Sequence, residues 1–228
     1  WPLSNKKTPK QFLTLFGNNS MIVDTGKRVG DIVGEEDTYI LTGEKYKGLV
    51  HEQFGDKVNV MAEPMAKNTA PCILWACLKI AKDKGGDSVL AVMPSDHLIG
   101  EQYNFSNAFK LACKSAEEGK IVTFGIVPTR AETGYGYIEI EDNSYEANKT
   151  VKKLCAFHEK PSREKAEEYI STGKYLWNSG MFVFRADVMI EEFKKYAPGV
   201  YGAFEGKNVD DANDVYAAFN ETQSISID

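Results

Sequence analysis

Apolar and polar positions along the chain switch repeatedly between two periods. Ser20 stands before a run with apolar residues at helical spacing, which predicts an N-capped helix through Val33. The short run 38–41 then reads as a strand, 44–54 as a polar helix and 57–62 as an alternating strand. Residues 70–84 carry a helix-length apolar face and stop at Gly85-Gly86. The continuous apolar run 88–93 predicts a strand buried on both faces. A helix over 104–118 puts Phe105, Ala108, Phe109 and Ala112 on one side, and 121–126 predicts a second buried strand. Strands alternating with helices of about 10–15 residues imply an α/β fold. The expectation is a Rossmann-like, doubly wound, mostly parallel sheet with helices on both faces.

After Val127 the pattern changes. Residues 137–141 and 151–159 both alternate and are joined by a polar, turn-rich stretch, 142–149, which predicts a long hairpin-like, β-rich insertion. Ser162 caps a helix through Ser171, 181–184 is a buried strand and 187–196 another helix. Residues 224–228 alternate like a strand interrupted in progress. No internal repeat, low-complexity tract or Pro-rich linker breaks the chain, so 1–228 is expected to be a single domain. It is expected to be truncated at both ends, since it opens on Trp1 without Met and closes inside that last strand.

Composition narrows the classes. Of 228 residues, 43% are apolar and 26% charged, which excludes a disordered chain. A chain this long buries about 72% of its unfolded surface, enough for a sizeable core. The net charge of -6 argues against a nucleic-acid partner. The longest nearly unbroken apolar run, 70–78, is far short of the ~20 residues of a membrane helix, so no membrane partner is expected either. Cys72, Cys77, Cys113 and Cys155 lie singly in apolar segments with no CxxC pair. They are expected to be free, mostly buried thiols in a reducing cytoplasm, and no signal peptide precedes the first residue.

Five segments could carry chemistry. In 92–97 a buried strand runs into Asp96 and His97, and ligands in open α/β sheets bind outside the carboxyl ends of strands. An aspartate there can hold a divalent metal, though a turn aspartate with a structural histidine also fits. In 132–137, Gly134 and Gly136 flank Tyr135, so the backbone can approach a ligand closely or simply form a turn with a bulge. In 157–161 a strand ends in Glu159, Lys160 and Pro161, where glutamate can accept from hydroxyls and lysine can meet a phosphate. An exposed ion pair would look the same. Lys10 and the Trp177-Asn178-Ser179-Gly180 turn are weaker candidates. There is no G-x-x-x-x-G-K-[ST] loop, G-x-S-x-G elbow or H-E-x-x-H helix, which removes the main support for P-loop enzymes, serine hydrolases and zincins.

Taken in order, WPLS (1–4), PKQF (9–12), EPMAKNTAP (63–71), MPSDH (93–97), TFGIVPTRAETGYGYI (123–138), FHEKP (157–161), LWNSGMFVFR (176–185) and SISID (224–228) resemble the sugar nucleotidyltransferases over the whole chain. The likeness is greatest to their mannose-1-phosphate guanylyltransferase group. The resemblance implies GMP transfer from GTP to mannose 1-phosphate, giving GDP-mannose and pyrophosphate. It also implies Mg²⁺, with Mn²⁺ as the other ion such a site takes. Lys10 would contact nucleotide phosphates, and Glu63, Pro64, Asn68 and Thr69 would line the guanine pocket. Asp96 and Asp228 would hold the metal. Gly134, Tyr135 and Gly136 would close over the hexose, while Glu159, Lys160 and Asn178 would hold its hydroxyls and phosphate. Lys10, Asp96 and Lys160 are thus the implied catalytic set. The family's Gly-rich signature would lie ahead of Trp1, His158 stands where an aliphatic is usual, and Lys67 where arginine is common. Another hexose-1-phosphate nucleotidyltransferase and a non-catalytic nucleotide-sugar-binding fragment are the alternatives, and a homo-oligomer is left open.

Overall fold

The computed structural model describes residues 3–5, 7–141 and 151–227, so Trp1, Pro2, Lys6, Asp228 and the whole of the expected hairpin connection, 142–149, lie outside the described residues. In chain order it forms α1 (Met21–Val33), β1 (Tyr39–Gly43), α2 (Lys47–Phe54), β2 (Asn59–Glu63), α3 (Thr69–Lys84), β3 (Val89–Val92) and α4 (Gln102–Glu117). There follow β4 (Val122–Ile126), β5 (Tyr137–Ile140), β6 (Leu154–His158), α5 (Arg163–Thr172), β7 (Tyr175–Arg185), α6 (Ala186–Tyr196), α7 (Pro198–Phe204) and α8 (Ala212–Glu221). The two serines read as caps do that work. Ser20 accepts from the Val23 N–H and Ser162 from the Lys165 N–H, both at 3.3 Å.

β1 and β2 pair in parallel, Tyr39 opposite Asn59 through Gly43 opposite Glu63. The larger sheet is built round β7. Its C-terminal half lies between β3 and β4 and runs antiparallel to both, so β3 and β4 point the same way. Its first residues pair with β5, which pairs in turn with β6. The α/β layering is thus the expected one, while direct parallel pairing among the described residues is confined to β1 and β2 because β7 stands between β3 and β4.

Alternation sends successive side chains of this sheet to opposite layers. Leu90, Val92, Phe182 and Phe184 join the core formed with α3, α6, α7 and α8. Val89, Ala91, Met181 and Val183 pack on the other face, against α4. Phe184 and Phe219 are both fully buried, and truncating either to alanine would cost about 3–5 kcal/mol.

The strand at 88–93 is only half-buried, unlike the expectation. β3 has a strand neighbour on one side alone, as does β1, among the described residues. The other edges of both face a slot of about 820 Å³ whose walls include 38–42 and 88–95, with Ile22 of α1, Ile73 of α3 and Phe109 of α4 lining it as well. β4 also departs from a fully buried strand. A bulge lies between Thr123 and Gly125, and Ile126 is exposed. Gly125 is required there, because a Cβ would stand 2.5 Å from Leu176 Cδ1. Residues 224–227 are not a strand. They lie beside the 67–70 turn, where the Ile225 N–H donates to Lys67 O at 3.3 Å and the Ala70 N–H to Ile225 O at 3.1 Å. The four thiols are free, but only Cys77 is fully buried; Cys72 and Cys113 are partly buried and Cys155 is exposed. No helix among the described residues is long and apolar enough to cross a membrane.

Candidate active site

Three of the strands end in charged or polar corners. Past β3, Asp96 meets Lys10, which lies in the short 3₁₀ turn Lys10–Phe12 anchored by the buried Phe12 ring. Lys10 Nζ is 2.6 Å from Asp96 Oδ2, and Asp96 keeps 29% of its side chain exposed. α1 secures the same loop from below, with Thr25 Oγ1 donating to Ser95 O at 3.4 Å. Beside Thr25, the buried Arg28 guanidinium lies over the Phe105 ring at 5.8 Å, and burial lowers its pKa. His97 is half-buried, and that burial pulls its pKa down, opposed by Asp96 and assisted by Arg28 and Lys10. The neutral imidazole is favoured.

The second corner ends β2. Glu63 is half-buried, its Oε2 has no hydrogen-bond partner among the described residues, and burial pushes its pKa up. Cys72 lies close enough that burial first, and then the Glu63 charge, push its thiol up to about 12. Pro64 follows directly. Asn68 has a φ of +66° and caps α3, its Oδ1 accepting from the Thr69 N–H at 2.9 Å. Thr69 Oγ1 accepts from the Ile227 N–H at 2.9 Å, and Lys67 Nζ donates to Thr222 O at 3.0 Å. Lysine therefore serves at 67 as a tie to the C-terminal segment.

The third corner joins β4, β5, β6 and β7. The 130–136 segment lies on Trp177, with the Arg130 guanidinium over its ring at 5.5 Å and the Tyr135 ring edge-on at 5.2 Å. Trp177 is buried, and its Nε1–H has no partner among the described residues. A Cβ on Gly136 would stand 2.8 Å from the Phe157 ring and 3.2 Å from Glu159 Oε2, so only glycine lets the segment approach so closely. Glu159 Oε1 is 2.6 Å from Lys160 Nζ, and both side chains are more than half exposed. Lys160 has a φ of +38°, a conformation that a lysine keeps only when its surroundings hold it. Asn178 donates its N–H to Gly136 O at 2.8 Å, while its Oδ1 accepts from Thr123 Oγ1 at 3.2 Å and the Gly180 N–H at 3.1 Å. His158 points elsewhere, its Nε2 lying 3.1 Å from Glu139 Oε2.

Lys10 and Asp96 are thus in contact, as are the 134–136 segment and Asn178, with Glu159 beside them. Of the expected site residues only Thr69 lines the slot, together with Ser95, Gly180 and Ile227; Lys10, Glu63, Asp96, Glu159, Lys160 and Asn178 are not among its walls. Asp228 follows Ile227 but lies outside the described residues, so the expected two-aspartate arrangement is not visible. Among the described residues no three His, Cys, Asp or Glu side chains cluster as a metal site. Asp96 by itself suits a hard cation, since it offers oxygen donors and already holds the Lys10 ammonium. Sequence reasoning missed Arg130, Tyr137 and the unpartnered Trp177 N–H. A period-2 pattern counts Tyr and Trp only as apolar, and nothing in it marks where their polar atoms point.

These features belong to a known class. The chain is a member of the nucleotidyl transferase family, which matches residues 1–223. More particularly, it is 39% identical over 231 residues to a mannose-1-phosphate guanylyltransferase of Klebsiella pneumoniae, covering all of this chain and 47% of the relative. It is 41% identical over 239 residues to one of Sinorhizobium fredii, covering all of this chain and 46% of the relative. The chain therefore spans about half the length of the curated relatives it matches. A crystal structure described as mannose-1-phosphate geranyltransferase from Thermus thermophilus superposes with a TM-score of 0.89 at 31% identity, covering 100% of this chain and 65% of that one.

Proposed function

We propose that the chain transfers GMP from GTP to mannose 1-phosphate, releasing pyrophosphate and forming GDP-mannose. The observation that carries this reading is the Lys10–Asp96 pair at the end of β3. It sets a phosphate-binding cation beside a metal-binding carboxylate where an α/β sheet takes its ligands. The guanylyltransferase relatives supply the choice of base and sugar.

A phosphate oxygen of mannose 1-phosphate attacks the α-phosphorus of GTP, the bond to the bridging oxygen breaks, and pyrophosphate leaves. No protein nucleophile is required, because the attacking oxygen is already an anion. The barrier is repulsion between two anions. Lys10 meets it at the nucleotide phosphates and Lys160 at the sugar phosphate. Asp96, with Asp228, would hold Mg²⁺ or Mn²⁺, which when bound neutralises phosphate charge. Glu63 belongs to the guanine wall by the family likeness; its Oε2 is buried without a partner among the described residues, so it would meet guanine N–H donors only once uncovered. Pro64, Asn68 and Thr69 complete that wall. Glu159 accepts from hexose hydroxyls, and Asn178 with Gly134, Tyr135 and Gly136 covers the sugar. Four free thiols, one of them exposed, suit a reducing cytoplasm.

The test is turnover of the protein with GTP, mannose 1-phosphate and Mg²⁺, followed by pyrophosphate release and GDP-mannose formation. Equal rates with UTP or dTTP and glucose 1-phosphate would overturn the guanylyl assignment. Tight GDP-mannose binding without turnover would favour a nucleotide-sugar-binding protein instead.

A further inference from the structure

Tyr137 opens β5 and is fully buried, yet its hydroxyl is turned back on a single upstream residue. It accepts from the Glu132 N–H at 3.1 Å and donates to the Glu132 C=O at 2.9 Å. We propose that this hydroxyl is a positioning group, latching the 130–136 segment in the shape that presents Tyr135 and Gly136 to a hexose phosphate. The proposal rests on the function given above.

Holding both backbone groups of one residue fixes the peptide planes on either side of it. From there the constraint passes outward. Glu132 Oε1 accepts from the Gly134 N–H at 3.2 Å and Oε2 from Arg130 Nε at 3.2 Å. Those contacts, the Gly134 N–H first, keep the Glu132 carboxyl below its ordinary range, so it is an acceptor throughout the neutral region. Arg130 then stacks on Trp177, the Tyr135 ring stands perpendicular to the same indole, and Gly136 O takes the Asn178 N–H at 2.8 Å. The latched segment thus ends beside Glu159 and Asn178.

A tyrosine hydroxyl bonded to backbone a few residues upstream is also a plain stability device in β-sandwiches. The two roles differ in what they hold. Here the far end of the latched segment is surface, with Tyr135 44% exposed, so the order is conferred on a face open to ligand and not on core. Ordering such a face in advance lowers the cost of binding.

Tyr137→Phe keeps the ring and removes both hydrogen bonds. The expected result is a rise of about tenfold, equivalent to ~1.4 kcal/mol, in KM for mannose 1-phosphate, with KM for GTP unchanged. Amide exchange at Glu132 and Gly134 should quicken by a similar factor. Glu132→Gln, which leaves the buried ring untouched, should raise the same KM by a smaller factor. A parallel rise in both KM values, unchanged exchange at Glu132 and Gly134, or a silent Glu132→Gln would each overturn the latch. If the unsubstituted protein does not turn over mannose 1-phosphate at all, it is the function that falls, and the hexose role of the latch falls with it.

Discussion

Two carboxylates stand at or just past the ends of strands and receive opposite electrostatic treatment. Asp96, past β3, keeps contact with water and with the Lys10 ammonium at 2.6 Å. Glu63, the last residue of β2, is half-buried with one oxygen unpartnered among the described residues, and burial holds its pKa above the ordinary value. A partly exposed ion pair contributes only about 0–1 kcal/mol, so Lys10–Asp96 does little to hold the fold. A desolvated carboxylate without a partner opposes folding. Neither arrangement is explained by stability. Under the proposed function, the first is where a metal ion would replace the Lys10 ammonium, and the second where a base would have to uncover a buried acceptor.

The contrast can be broken in three ways. Asp96→Asn should lower kcat by about 10²–10³ while leaving Tm almost unchanged. A normal kcat would remove Asp96 from the reaction. Glu63→Gln should raise KM for GTP about tenfold, through loss of one strong acceptor. It should also change stability with a definite sign. A carboxyl whose folded pKa is raised favours the fold below its unfolded pKa of about 4.3, and that contribution is lost as pH rises through the folded value. The charged Glu63 therefore costs stability at neutral pH. The Gln variant should melt higher than the parent at pH 7, and the gap should close near pH 4. No gap at pH 7 would mean that Oε2 is solvated after all. The smallest effect concerns the thiol beside it. Cys155 should react first with a maleimide, and Cys72 and Cys77, both pushed up by burial, last. Glu63→Gln should hardly speed Cys72, because burial outweighs the Glu63 charge there.

Local rules were legible in the chain, and convergence was not. Ser20 and Ser162 sit at helix starts because a side-chain oxygen supplies what the first turn lacks, and sequence shows that directly. The strand read over 181–184 extends back to Tyr175: Ser179 and Gly180 interrupt both its apolar pattern and its ladder, which resumes where Asn178 pairs with Gly125. α7 and α8 went unread. The first is short, with Pro198 at its start, and the second is capped by Asp211, which accepts from the Asn213 and Asp214 N–H groups. Asp96 and Glu159 could be placed past strand ends from sequence, whereas Asn178, read at the mouth of a strand, lies inside β7. That Lys10 would touch Asp96, or that Tyr137 would reach back to Glu132, depends on tertiary approach that no period encodes.

The slot has a consequence for how the described residues are held to one another. A strand edge left free on an outer surface invites a strand from another molecule. The unpaired edges of β1 and β3 among the described residues instead face the slot, which residues of α1, α3 and α4 also line. The same arrangement leaves a seam. Among the described residues no backbone hydrogen bond joins β1 to β3. The part built from α1, β1, α2 and β2 is thus fastened across the slot by side-chain packing and by single bonds such as Thr25 to Ser95. Across the slot the described residues are therefore joined by fewer backbone bonds than hold the strands within either sheet.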